Sequence, residues 1–492
     1  MKQLLISAFA LFCVLPAVPV QAQEQVAEPL LALEDCRIRA GAGYPGIKAR
    51  CGTLQRPLDP TDPDSALIDL FVAVVPALSL EPAPDPLVPI AGGPGQASSE
   101  FYAGFAGAFA EIRRDRDIVL LDQRGTGQSA SMDCDVDDEE LIGQFSAEET
   151  IAAARECLDA LPYDPRFFTT SVAVEDLEAL RTALGYQQFN LYGISYGSRV
   201  AQHFLRRFPD STRSVILDGV VAPQIALGPA VAIEAQRAIE SIFERCTASA
   251  ACANKFPNIE QEFAGLRARL ADGSVTLDIA NPVTGEREEI EFGDAELAGA
   301  LRLLSYSPTT VALMPLLIHE AAQENYLPLA AQYMMIAESL SDSMSIGMHN
   351  AVVCTEDAPF FDGENIDRDM LDATYMGPLQ IDSLEAICSV WPKGLLDEEF
   401  KTPVESDVPV LLLSGEADPI TPPRYAELAA VDLGNALHLV GRKQGHGQAP
   451  RGCMPDIIGE FVATADINAL ETDCLERLFA MPFFLDFSGP AP

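Results

Sequence analysis

Between residues 190 and 199 the chain reads Asn-Leu-Tyr-Gly-Ile-Ser-Tyr-Gly-Ser-Arg, and this stretch restricts the fold more than any other. Residues 188–192 are apolar and strand-like, while residues 198–208 have helical spacing and stop at Pro209. Ser195 sits at the corner. Glycines two positions before and after it, Gly193 and Gly197, complete a G-x-S-x-G pattern, in which larger side chains would strike the neighbouring elements.

The surroundings of that corner set the fold class. Apolar runs over residues 65–76, 87–91, 117–122 and 214–219 read as further strands, separated by helical stretches such as 147–161 and 172–184. Strands alternating with helices imply an α/β fold with a mostly parallel, doubly wound sheet, whose working groups gather at the carboxyl ends of the strands. After residue 221 the alternation breaks. Residues 222–399 read as mainly helical, with one hairpin over 275–292 turning near residues 281–285, before strand character returns at 408–414 and 436–440. The expected organisation is a first core part (23–221), a helical cap inserted between core strands (222–399) and a second core part (400–492). Residues 23–57 read as an irregular segment pinned by two cysteines.

The first 22 residues have the pattern of a secretory signal: Lys2, an apolar run from Leu4 to Val18, and Val20-Gln21-Ala22 as a small-residue cleavage site. Such a run is too short for a membrane anchor. Cys13 falls within it, so ten of the eleven cysteines remain after cleavage, an even number in an oxidising compartment. Their order suggests nearest-neighbour disulfides: Cys36–Cys51, Cys134–Cys157, Cys246–Cys252, Cys354–Cys388 and Cys453–Cys474. The cysteines and the five histidines show no zinc-ligand spacing, and the loop at 123–129 lacks the glycine pattern of a nucleotide site, so no metal or cofactor is expected. A formal net charge of −41 argues against nucleic-acid partners and anionic membranes.

A serine nucleophile needs a base, and the base needs a group to hold its tautomer. Of the five histidines, His438 alternates with apolar residues in a strand, His319 lies on an apolar helix, and His203 follows the serine on its own helix. His446 lies in Gly445-His446-Gly447, a flexible loop directly beyond the last strand, with His349 as a rival. For the acid, Asp418 lies just past the strand that follows the insertion, with Asp218 as runner-up. The chain order Ser195, Asp418, His446 is that of the α/β-hydrolase arrangement. Gly92-Gly93-Pro94-Gly95, directly after a buried strand, reads by itself as a plain turn, or as a loop whose backbone N–H groups are open to close approach, as an oxyanion site requires.

Taken together, Gly92–Gly95, Asp122-Gln-Arg-Gly-Thr-Gly127, Gly193–Gly197, Gly415–Pro419 and Gly445–Gly447 resemble the proline iminopeptidase and tripeptidyl aminopeptidase group of α/β-hydrolases. The cysteine-bearing carboxyl end and the Cys388-x-x-Trp391-Pro392 stretch look more like the secreted tripeptidyl branch. Ala91 departs from the histidine usual before the glycines in proline iminopeptidases. The resemblance implies an exported serine aminopeptidase acting on peptides, with backbone N–H groups of Gly93 and Tyr196 as oxyanion donors and with Glu356 and Asp357 receiving the substrate's amine. An esterase, or another α/β-hydrolase acting on small esters or amides, is the alternative, and a noncatalytic binding protein that kept the fold is a third reading.

Overall fold

A computed structural model describes residues 31–41, 43–134, 146–364 and 367–490; the expected signal at 1–22 lies outside them. Among the described residues the core is a nine-stranded sheet in the order β1-β2-β3-β5-β4-β6-β7-β10-β11. Its strands are β1 (Glu34–Ile38), β2 (Ile47–Pro57), β3 (Leu67–Val75), β4 (Leu87–Ile90), β5 (Ile118–Leu121), β6 (Phe189–Ile194), β7 (Thr212–Asp218), β10 (Val410–Gly415) and β11 (Ala436–Gly441). From β5 through β11 every neighbouring pair is parallel, and β1, β2 and β3 add an antiparallel edge.

The centre of the sheet is β4, β5, β6, β7 and β10, whose residues are almost all buried on both faces. This explains why they read as continuous apolar runs rather than alternating ones. One apolar cluster fills each face. Val88, Leu191, Val215 and Leu412 point to the side of the helices Thr170–Leu184 and Tyr196–Arg207. Tyr192, Ile216 and Leu411 point to the side of Phe109 and the helix Met454–Thr464.

One sequence expectation is changed by the fold. Residues 34–57 are not irregular: β1 and β2 pair antiparallel with Cys36 opposite Ala49, next to the Cys36–Cys51 disulfide. This edge leaves much of β1 and β2 exposed, and so lacks the apolar repeat that marks the central strands. The chain leaves the sheet after β7 and returns to its neighbour β10 in parallel register, Val215 opposite Val410. Most of the intervening helices, with the hairpin β8 (Val275–Ala280) and β9 (Arg287–Phe292), surround a separate apolar cluster around Phe243, Leu266, Leu301 and Leu317. The helix Ile346–Glu356 differs from them, since Met348, Ala351 and Val352 join the sheet's own core.

Sulfur–sulfur bonds close Cys36–Cys51, Cys134–Cys157, Cys246–Cys252, Cys354–Cys388 and Cys453–Cys474. The last of these ties the segment after helix Met454–Thr464 back to its start. From there the chain crosses to the helical unit, where Phe483 enters its apolar cluster and the Phe484 N–H donates to the Ala312 carbonyl at 2.9 Å.

The loop after β5 is held by a buried charge pair. Arg124 donates to Asp176 from Nε at 2.6 Å and from a terminal nitrogen at 2.9 Å, and to the carbonyls of Leu58 and Phe167. Both side chains are 1% exposed, and Asp176 also accepts from Arg56 Nε at 2.9 Å, so losing Arg124 leaves it one cation. Arg124→Ala is therefore expected to lower the unfolding free energy by up to about 3 kcal/mol, the low end for breaking a buried pair, read as a fall in the urea midpoint at constant slope.

Candidate active site

At the end of β6, Ser195 has φ 54° and ψ −125°, a left-handed conformation that few non-glycine residues adopt. Close packing imposes it. A Cβ on Gly193 would stand 2.2 Å from the Gly197 carbonyl oxygen, and one on Gly197 would stand 2.3 Å from the Ile90 carbonyl oxygen. The helix therefore begins in backbone contact with β4 and β6. Ser195 N–H donates to the Asp218 carbonyl at 2.9 Å, and the Ser198 hydroxyl donates to the Ser195 carbonyl at 2.6 Å, so the corner is fixed from both sides.

Asp418 follows β10 and His446 follows β11, which places both at the same carboxyl edge as Ser195. His446 Nδ1 lies 2.7 Å from Asp418 Oδ2. The carboxylate also accepts the N–H groups of Ile420 and Thr421 at 2.9 Å each and the Thr421 hydroxyl at 2.8 Å. With four donors converging on it, Asp418 is oriented as an acceptor, and Nδ1 must carry the proton it shares. Burial alone would push the His446 pKa down. The charge of Asp418 and the hydrogen bond to it outweigh that, with help from Asp218, and the pKa lies above the ordinary 6.5.

The Ser195 backbone and the His446 imidazole meet the same short segment. Ser195 N–H donates to Asp218, and the next residue, Gly219, lies against the His446 ring, where an added Cβ would be 2.7 Å from Cε1. Among the described residues the Ser195 hydroxyl holds no hydrogen bond, which leaves Oγ available; such contacts often tighten only when substrate binds.

Asp218, the alternative acid, has a different task. Buried at 0% exposure, it accepts the N–H groups of Gln448 and Ala449 and the Tyr192 hydroxyl, anchoring the loop that carries His446. The loop is also held from the helical unit: His446 N–H donates to the Tyr306 carbonyl at 2.8 Å, and the Tyr306 ring meets the imidazole edge-on. Tyr306 and Thr421 were not singled out in the sequence. A threonine three residues after an aspartate, in a proline-stiffened turn, is the signal that would have found the second.

The glycine loop after β4 lies against the serine: a Cβ on Gly92 would be 3.1 Å from Ser195 Cβ and 3.7 Å from Oγ. Gly93 has φ +104°, and Tyr196 is the first residue of its helix, where the N–H has no partner in a preceding turn.

Glu356 and Asp357 are not where amine recognition needs them. Both are 0% exposed, at the end of the helix Ile346–Glu356 rather than on a solvated loop. Asp357 is taken by a two-pronged pair with Arg199 at 2.8 and 3.0 Å and by Lys401 at 3.2 Å. Glu356 accepts the Thr170 N–H at 2.7 Å and its hydroxyl at 2.9 Å, and burial raises its pKa to about 7. The reason is charge pairing: in so acidic a chain, Arg199 on the serine's own helix needs carboxylate partners in the interior. The remaining histidines also have structural partners, His203 with Asp397, His319 with Glu262, His438 with Ser414 and His349 with the Pro94 carbonyl. The described residues contain no cluster of three or more metal-ligating side chains, and no helix among them is long and apolar enough to cross a membrane.

Residues 85–263 match the family model described as alpha/beta hydrolase fold, and residues 373–474 match that of the TAP-like proteins. The chain has the α/β-hydrolase fold, and its likeness to the TAP-like proteins lies in residues 373–474. The serine protease Hip1 of Mycobacterium tuberculosis is 27% identical over 427 residues, covering 79% of each chain. The tripeptidyl aminopeptidase of Streptomyces lividans is 30% identical over 149 residues, 27% of this chain and 28% of that one. A putative hydrolase, YuaR, of Escherichia coli is 32% identical over 181 residues, 35% of this chain, and the match spans only 36% of that relative. Among solved structures, proline iminopeptidase of Mycobacterium smegmatis aligns over 85% of this chain and 99% of its own, with 16% identity and a TM-score of 0.39. The serine corner thus stands in a chain similar to a serine protease and, over a shorter stretch, to a tripeptidyl aminopeptidase. The packing at its corner gives a direct test: Gly193→Ala forces a backbone shift costing about 1–3 kcal/mol or more, expected as a lower melting temperature with loss of hydrolysis.

Proposed function

We propose that this hydrolase is an exported serine aminopeptidase in which Ser195 is the nucleophile, His446 the general base and then acid, and Asp418 the group that orients it. The observation that carries the reading is the 2.7 Å Asp418–His446 hydrogen bond, set at the same sheet edge as the strained Ser195. Ser195 Oγ attacks the carbonyl carbon while its proton passes to His446 Nε2. The resulting oxyanion is held by the N–H groups of Gly93 and Tyr196. Collapse of that intermediate returns the proton to the departing amine and leaves an acyl ester on Ser195; water, activated by the same imidazole, then releases the acid. Losing one oxyanion donor in such a site costs about 10²–10³ in kcat.

Peptide substrates are supported by the serine protease and tripeptidyl aminopeptidase names of the relatives. Recognition of a free amine falls to a group other than Glu356 and Asp357. Glu338 is our candidate: one carboxylate oxygen is buried with no hydrogen-bond partner, and its helix Leu327–Ser343 runs into Met344, which packs against Gly93. Export, with cleavage after Ala22, is supported by the apolar leader and the five disulfides. The occupation of Glu356 and Asp357 by Arg199, Lys401 and Thr170 also favours a second reading, an esterase with no amine site.

Two sets of measurements test these statements. A fluorophosphonate should label Ser195 stoichiometrically, Ser195→Ala should lose on the order of 10⁶ in kcat, and free tripeptide anilides should be cleaved in preference to their N-acetylated forms, a preference that Glu338→Gln erases. Equal turnover of free and acetylated substrates in the wild type would favour the esterase. The second is the pH profile. The base works only when neutral, so a raised His446 pKa places the acid limb of kcat/KM above 6.5. Asp418→Asn removes the charge that holds the proton, and should move that limb down while lowering kcat by about 10⁴.

A further inference from the structure

The oxyanion donors proposed above, Gly93 and Tyr196, stand on separate elements, β4's loop and the helix after β6, and a single helix grips the support of each. At its amino end, Ser345 N–H donates to the Gly95 carbonyl at 3.0 Å, and Met344 pairs as an isolated bridge with Gln96. One turn later, His349 Nδ1 lies 3.1 Å from the Pro94 carbonyl. A carbonyl only accepts, so Nδ1 carries the hydrogen. Three contacts therefore hold residues 94–96 from the same side.

At its carboxyl end the helix reaches, through Thr170, the side chain of the residue whose N–H is the other donor. Gln123 donates to the Tyr196 hydroxyl at 3.0 Å, Tyr196 and Thr170 share a 2.6 Å hydrogen bond, and the Thr170 hydroxyl donates to Glu356 at 2.9 Å. Since Thr170 spends its hydrogen on the carboxylate, Tyr196 must donate to Thr170, and the chain runs in one direction from Gln123 to Glu356. Asp357, the next residue, takes Arg199 one turn along the Tyr196 helix. The eleven residues of Ile346–Glu356 span about 16 Å, and the middle of the helix is buried against the core through Met348, Ala351 and Val352.

We propose that helix Ile346–Glu356 is a clamp that fixes the distance between the two oxyanion donors, with His349 and Thr170 as positioning residues at its two ends. The inference rests on the reading of Gly93 and Tyr196 as donors, and it gives Glu356 a role in shaping the transition-state site instead of binding the substrate's amine. Pre-set donors are the part of such a site that acts on the transition state alone, so loosening either end should lower kcat and leave ground-state binding intact.

The test uses the full chain and four variants, His349→Ala, His349→Asn, Thr170→Val and Thr170→Ser. Each is titrated with fluorophosphonate, then assayed for kcat and KM on an aryl ester, which needs no amine recognition, and for inhibition by a peptide aldehyde that forms a hemiacetal with serine. His349→Ala and Thr170→Val should each lose about 10-fold or more in kcat, with KM within about twofold and aldehyde affinity falling in step with kcat. His349→Asn and Thr170→Ser, which keep a donor, should recover most of the loss. Unchanged kcat in both disruptive variants, with normal labelling of Ser195, overturns the clamp alone. A fall in kcat without a matching fall in aldehyde affinity, or with no recovery by the conservative variants, also overturns it. Absence of labelling in the wild type overturns the nucleophile assignment and the clamp with it.

Discussion

Backbone-to-backbone contact between the helix Tyr196–Arg207 and strands β4 and β6 is the constraint from which the rest of the site follows. With space for no Cβ at Gly193 or Gly197, the helix starts hard against the sheet, and the residue at the corner is driven to positive φ. That conformation lifts the serine out of the sheet edge and frees the first N–H of the helix. It also places Ser195 beside the Gly92 loop on one side and the end of β7 on the other. A looser corner would satisfy the same hydrophobic core, yet it would not bring these three segments within contact.

Charge is the second constraint, because a chain with 73 acidic and 32 basic residues has few cations to spend. Several of its arginines are placed where one guanidinium joins elements distant in sequence: Arg124 to Asp176, Arg199 to Asp357, Arg424 to Glu234, and Arg116 with Arg213 on Asp85. Arginine suits this use, since its planar fork meets a carboxylate with two parallel bonds and stays charged when buried. None of these pairs draws on Asp418, whose carboxylate meets His446 at 2.7 Å.

What could be read in the sequence followed from local rules. Buried parallel strands are apolar throughout, the glycines around Ser195 serve a corner a few residues long, and a histidine between glycines beyond the last strand has few structural uses. The edge strands β1 and β2 were missed because their pairing lies in the backbone and their exposed positions, among them Lys48, Arg50 and Gln55, follow no apolar rhythm. Glu356 and Asp357 were misread for a different reason. A carboxylate pair beside a cysteine looks the same in sequence whether it faces solvent or a buried arginine, and Arg199, the deciding partner, lies 158 residues away. A longer separation, 255 residues, hides the contact of His349, whose partner is a main-chain carbonyl and therefore leaves no side-chain signature.

The helical unit is not a cover resting on a finished site. Its Tyr306 carbonyl holds the His446 loop, its Ser345 N–H holds the Gly95 carbonyl, and the chain's last described segment returns from the core to bury Phe483 within it. A rigid swing of the whole unit away from the sheet would have to break the first two contacts, leaving the Tyr306 carbonyl and the Ser345 N–H to find new partners at a cost of roughly 1–3 kcal/mol each if they stayed buried. Movement confined to elements that make no such contacts, such as the β8–β9 hairpin, carries no comparable penalty. Substrate entry that preserves the His446 loop and the Gly92–Gly95 loop therefore favours displacement of outer helices and the hairpin over hinge opening at the sheet, and the helix Ile346–Glu356, packed in the sheet's own core, belongs with the stationary part.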